Sequence, residues 1–102
     1  MIQHTVCFTL RHPDGSEAEA DFLRTAAATL PGIPGVSGFR IARQVSSQSD
    51  LSWQFAMDFA DEAAYAAYNE HPAHRGFVEG RWVPEVASFT EFDFAPVDVG
   101  TL

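Results

Sequence analysis

Lysine is absent from the 102 residues, and the six basic side chains, all arginine, face fourteen acids, for a formal net charge of −8. Such a surface repels phosphate backbones and anionic bilayers, so neither a nucleic-acid partner nor a membrane is expected. Cysteine is limited to Cys7, which cannot form an internal disulfide, and Met1-Ile2-Gln3-His4 lacks the basic start and apolar run of a signal peptide. A cytoplasmic location is the expectation. No apolar stretch approaches the roughly 20 residues that span a bilayer. CxxC, HExxH, GxGxxG and Walker sequences are all missing. What remains is substantial: 46% of the residues are apolar, 13% are aromatic, and nine are Phe. That composition excludes disorder and supports one domain with a core that needs no disulfide.

The chain alternates clearly at its start. Ile2, His4, Val6, Phe8 and Leu10 interleave with Gln3, Thr5, Cys7 and Thr9, the period of a strand with one apolar face. His12-Pro13-Asp14-Gly15 is turn chemistry, and Ser16 followed by Glu19 has the form of a capping box. The helix it opens is predicted to run to about Leu30, with Ala18, Phe22, Ala26 and Leu30 on one stripe. Pro31-Gly32-Ile33-Pro34-Gly35 ends it, and Phe39, Ile41, Arg43 and Val45 alternate in a second strand. A third strand covers Leu51 to Phe59. Asp61 caps a second helix through Asn69, His71-Pro72-Ala73-His74 breaks or restarts it, and helix continues to about Val86. Phe89 to Phe94 read as the last strand. The domain is placed at residues 1–95, with 96–102 as a C-terminal tail.

This order is βαββαβ, an α+β, ferredoxin-like arrangement of a four-stranded antiparallel sheet with both helices on one face. The other face carries Gln3, Thr5, Cys7 and Thr9, then Arg40, Ala42 and Gln44, then Ser52, Gln54, Ala56 and Asp58. A surface this broad and this weakly charged suits a second copy of the chain, so a homodimer is expected; the alternative is a sheet wetted on one side.

Three segments carry a family resemblance: Met1 to Phe8, Leu30-Pro31-Gly32-Ile33-Pro34-Gly35-Val36, and Phe59 to His74, whose Tyr68-x-x-His71-Pro72-x-His74 is the most specific part. Together they resemble the stress-responsive dimeric α+β barrel (Dabb) family. The resemblance implies a ferredoxin-like protomer and a barrel-like homodimer. For chemistry it implies less, since the family holds plant stress proteins, uncharacterised bacterial members and a plant polyketide cyclase that closes a ring by aldol chemistry without cofactor. By similarity to that cyclase, its strand-1 histidine falls on His4, its helix-2 tyrosine on Tyr68 and its base on His74. Its strand-3 histidine and helix-1 tyrosine are replaced by Trp53 and Ala26, which changes the shape and polarity of the implied pocket. Trp53, Phe22, Ala26 and His71 are the substrate-binding positions this reading implies.

Each candidate also has a structural explanation. His4 shares its strand face with apolar residues, so it is either a satisfied core histidine or a base with its tautomer fixed by a neighbour. His74 is either a base or a residue that caps and packs the helix start. The Tyr68 hydroxyl either orients a carbonyl or sits at the rim of a core residue. Arg43 interrupts an apolar face and needs a carboxylate or a route to water, whereas Arg75 and Arg81 read as surface residues. His71-x-x-His74 with Glu70 is not a sufficient pattern for a metal, and no cofactor is implied. Cys7 points away from His4 and is a packing residue.

Two functions stand open at this level. One is a stress-linked homodimer that holds a small hydrophobic molecule between sheet and helices. The other is a cofactor-independent acid–base enzyme acting on a carbonyl compound, with His74 as base. A dimeric-barrel monooxygenase is a third class sharing the fold.

Overall fold

The structure is a computed structural model covering residues 1–102. Its strands are β1 (Ile2–Leu10), β2 (Ser37–Arg43), β3 (Trp53–Phe59) and β4 (Val86–Phe94), and its main helices are α1 (Glu17–Thr29), α2 (Glu62–Glu70) and α3 (Pro72–Phe77). The sheet order is β2-β3-β1-β4 and every pairing is antiparallel, so the fold is ferredoxin-like. The first and third strands, each with strong alternation, lie at the centre, where both backbone edges find partners. Gly38 adopts φ 60° where the β2 register shifts between Ser37 and Arg40, a left-handed bulge that favours glycine.

The caps form where the sequence places them. The Glu19 amide donates to Ser16 Oγ at 3.2 Å, and the Ala64 amide donates to Asp61 Oδ1 at 2.8 Å. The Glu19 carboxylate departs from the ordinary box. It accepts from the Gly15 amide and from the Trp53 indole N–H, which ties the start of α1 to β3.

Beyond α3 the chain widens instead of stopping. Val78–Trp82 form one π-helical turn in which the Val83 amide donates to the Val78 carbonyl, and a short helical turn, Val83–Glu85, leads directly into β4. Pro84 has no amide to give, so a regular α ladder is interrupted here in any case. The last strand therefore begins at Val86, three residues earlier than the aromatic pattern suggests. Arg81 is not a free surface residue. Its guanidinium donates to Glu85, Thr25 and Asp21, pinning the π turn to α1.

Helices cover one sheet face only, and the molecule measures 45 × 35 × 18 Å, the shortest axis being one helix layer on one sheet. Phe8, Phe22 and Phe55 are fully buried between the layers, with Phe8 and Phe55 rings 4.7 Å apart edge to face. Each contributes about 1.5–3 kcal/mol by leaving water. On the open face, β1 register sets Phe92 opposite Thr5 and Phe94 opposite Gln3. These two rings, 5.9 Å apart and each about half exposed, add an aromatic patch to a face otherwise lined by small and polar residues. Residues beyond β4 are exposed and include a short 3₁₀ turn at Val99–Thr101. No helix is long and apolar enough to cross a membrane.

Candidate functional site

A cavity of about 480 Å³ opens between the sheet and the α2–α3 side of the helix layer. Ligand pockets usually enclose about 300–1,000 Å³, so a small molecule fits. Strands β1 and β3 supply its floor through His4, Val6, Phe55 and Met57, α2 supplies Tyr65, Tyr68 and Asn69, and α3 supplies His74 and Phe77. The π turn contributes Val78 and Trp82, and β4 closes the mouth with Phe89 and Glu91. The wall is mainly apolar, with a few convergent polar groups.

His4, Tyr68 and His74, the residues expected to carry chemistry, meet in this cavity. The Tyr68 and His74 rings lie 4.4 Å apart. His74 Nδ1 is 3.1 Å from the Asn69 carbonyl, which can only accept, so this nitrogen carries the proton and Nε2 keeps its lone pair. Burial pushes the His74 pKa below its ordinary value, and the nearby His4 acts the same way, outweighing the Asn69 carbonyl and Glu91, which favour the charged ring. A neutral imidazole with a free Nε2 is suited to accepting a proton. Burial raises the Tyr68 pKa, with the Glu91 charge adding to it, so its hydroxyl stays protonated and acts as a donor.

His4 is held differently. Its Nδ1 donates to Asp93 Oδ1 at 2.7 Å, and the Tyr65 hydroxyl lies 2.9 Å from the same nitrogen. Burial, then the hydrogen bond to Asp93, raises the Tyr65 pKa and keeps this hydroxyl protonated as well. His4 Nε2 faces Glu91 at 4.0 Å. The buried imidazole is thus anchored through Nδ1 alone, and Nε2 makes no hydrogen bond. Asp93, Glu91 and Tyr65 were not among the expected site residues, although Tyr65 shares the α2 face of Tyr68.

The four expected substrate positions do not line the cavity. Phe22 and Ala26 are fully buried under α1, where aromatic rings fill the interlayer completely. Trp53 is turned toward α1 by its bond to Glu19 and is covered by the Arg43 guanidinium, 4.3 Å from its ring centre. Arg43 also meets Asp14 at 3.3 Å, the carboxylate its position calls for. His71 caps α3, its Nδ1 accepting from the Ala73 amide at 3.0 Å. No three His, Cys, Asp or Glu side chains are grouped closely enough to hold a metal ion.

The sequence profile of the Stress responsive A/B Barrel Domain matches residues 2–96. A Dabb family protein with a ferredoxin-like fold from Mesorhizobium loti is 48% identical, with a TM-score of 0.94 over 95% of this chain and 97% of that one. A dimeric ferredoxin-like protein from Thermobifida fusca is 18% identical, with a TM-score of 0.78 over 93% of this chain and 90% of that one. SnoaB, a cofactor-independent oxygenase from Streptomyces nogalater, is 19% identical, with a TM-score of 0.69 over 96% of this chain and 94% of that one. These last two likenesses concern the fold. No curated protein matches the chain in sequence. With nearly its whole length matched by the profile, and the site formed by the segments that carry the match, the chain belongs to the stress responsive A/B barrel (Dabb) domain family.

Proposed function

We propose that the protein is a homodimer whose protomers each bind a small, largely apolar carbonyl compound between sheet and helices, and that His74 acts on it as a general base. One observation carries this reading: the His74 Nδ1–H is committed to the Asn69 carbonyl, which leaves Nε2 unprotonated on a ring that lines a ligand-sized cavity. In the proposed step Nε2 takes a proton from the carbon α to the carbonyl. The C–H electron pair moves into the new C=C bond, and the carbonyl oxygen becomes an enolate, which the Tyr68 hydroxyl stabilises by donating a hydrogen bond. Reprotonation of carbon by the imidazolium returns the carbonyl compound; alternatively the enolate carbon attacks a second carbonyl, whose π pair passes to its oxygen as the carbon–carbon bond forms, and that alkoxide takes the proton from the imidazolium. Only proton transfers are required of the protein.

The dimer is proposed from the open sheet face, where Phe92 and Phe94 stand half exposed on a molecule 18 Å thick. A cytoplasmic location is proposed from the lone unpaired Cys7. Sedimentation equilibrium at micromolar concentration tests the assembly, which is expected at twice the 11.2 kDa protomer mass. Proton exchange at the α carbon of 1-phenyl-2-propanone in D₂O, followed by NMR, tests the base. Exchange above background that His74→Gln removes is the expected result. Binding of the ketone without exchange supports the holding of a hydrophobic molecule alone and rejects the base.

A further inference from the structure

The carboxylates flanking His4, of which Glu91 but not Asp93 lines the cavity, leave an unbalanced charge beside it. Alternate residues of β4, Glu91 and Asp93, place carboxylates on both sides of the His4 ring, at 4.0 Å from Nε2 and 2.7 Å from Nδ1. Even a protonated His4 supplies one positive charge against two negative ones. Nothing else nearby repairs the deficit: lysine is absent from the chain, no arginine lines the cavity, and Arg75 borders only the shallower groove on the far side of His74.

The apolar part of the wall has the same bias. Tyr65, Tyr68, Trp82 and Phe89 surround the space next to Glu91, and the Trp82 and Phe89 rings meet edge to face at 5.6 Å. Aromatic faces carry partial negative charge and attract cations, most strongly where water is displaced. A ligand that fills the cavity removes water from beside Glu91, which strengthens the interaction of that carboxylate with whatever charge the ligand bears.

We propose that the preferred ligands are apolar compounds bearing a protonated amine, that carboxylates are excluded, and that Glu91 is the residue that sets this preference. The proposal rests on the reading of the cavity as a small-molecule site and names the chemical class that site takes. Its carbonyl substrates are then amino ketones or amino aldehydes with an apolar body.

Three probes of nearly equal size test it: 2-phenylethylammonium, phenylacetamide and phenylacetate, each titrated calorimetrically against the full chain at pH 7.5. The expected order is ammonium, amide, carboxylate, with about a tenfold or larger gap between the first and last, the scale of one unit charge in a partly hydrated site. Glu91→Gln is expected to collapse the ammonium-to-carboxylate ratio by about that factor. Asp50→Asn, the same charge change in the loop between β2 and β3, is expected to leave the ratio in place. Phenylacetate binding as tightly as phenylethylammonium, or a ratio unmoved by Glu91→Gln, overturns the charge preference while leaving the cavity a binding site. Failure of all three probes to bind up to their solubility overturns the small-molecule reading and the preference with it.

Discussion

The space between sheet and helices has two ends, built from the same strands and filled in opposite ways. Under α1 the rings of Phe8, Phe22 and Phe55 meet at 4.7 to 6.2 Å, and Phe55, which also lines the cavity floor, marks the boundary between the two ends. Under α2 and α3 the corresponding positions carry Tyr65, Tyr68, His4 and His74, and a cavity of about 480 Å³ remains. Phenylalanine can fill a core to crystal-like density because it has no polar atom to satisfy. Tyrosine and histidine each bring an atom that needs a partner, so their end of the layer is arranged by hydrogen bonds, and space is left where those bonds hold the rings apart. One end therefore stabilises the fold and the other is available for chemistry.

Replacing a ring at the filled end gives the largest expected effect. Phe22→Ala should cost about 3–5 kcal/mol, because the ring is wholly buried and its neighbours are locked by one another. Chemical denaturation measures the loss. Ligand binding at the other end should survive in the folded fraction, and equal damage to both would show that the two ends are not separable.

The tie between them is next. Arg81 donates to Glu85, Thr25 and Asp21, and the hydrogen bond from Arg81 holds the Glu85 carboxyl below its usual range, ahead of a second bond from His12. Arg81→Ala should cost about 2 kcal/mol by leaving a half-buried carboxylate without its main partner. The sign of the pH effect is fixed by the depressed Glu85 pKa. Its contribution is present above the ordinary carboxyl value of 4.5 and is lost as pH falls through the folded value. The variant should therefore show a shallower loss of stability on acidification, measured by thermal melts from pH 6 to 3.

The two ends also differ in how far sequence reveals them. Alternation in β1 and β3 puts Phe8 and Phe55 on the helix-facing side, and the stripe of α1 adds Phe22 and Ala26, so the filled end is legible from local periodicity. Tyr68 and His74 were legible through a local motif. Asp93 was not, since it reaches His4 across 89 residues and only the β1–β4 register decides that acids 91 and 93 face inward. Trp53 misled for a related reason. Its strand face is right, but Glu19 draws the ring toward α1 and Arg43 covers it, and neither contact has a periodic signature.

At the open end, Tyr68→Phe separates chemistry from packing. The change keeps the ring against Phe59 and His74 and removes one hydroxyl, so stability should shift by less than about 1 kcal/mol. Exchange of the ketone α proton should fall by about tenfold or more, the scale of one lost donor to a developing oxyanion. A variant exchanging at the native rate would move the oxyanion contact to another group.

The smallest effect lies in the titration of His74. Burial depresses its pKa below the ordinary 6.5, so the folded protein binds fewer protons than the unfolded chain just below that pH. Its contribution to stability is then level above pH 6.5 and declines as pH falls through the folded value. Half-exposure limits the difference to less than about 1 kcal/mol, because solvent screens the ring. His74→Gln should remove this decline, seen as a flatter profile of melting temperature between pH 7.5 and 5 than the native protein gives. Ketone exchange should carry the same titration with a larger amplitude, since only the neutral ring accepts the proton. Its rate should hold to a lower pH than an ordinary histidine allows and then drop. A drop centred above pH 6.5 would mean that Glu91 and the Asn69 carbonyl outweigh burial, and that the open end is wetter than its aromatic walls suggest.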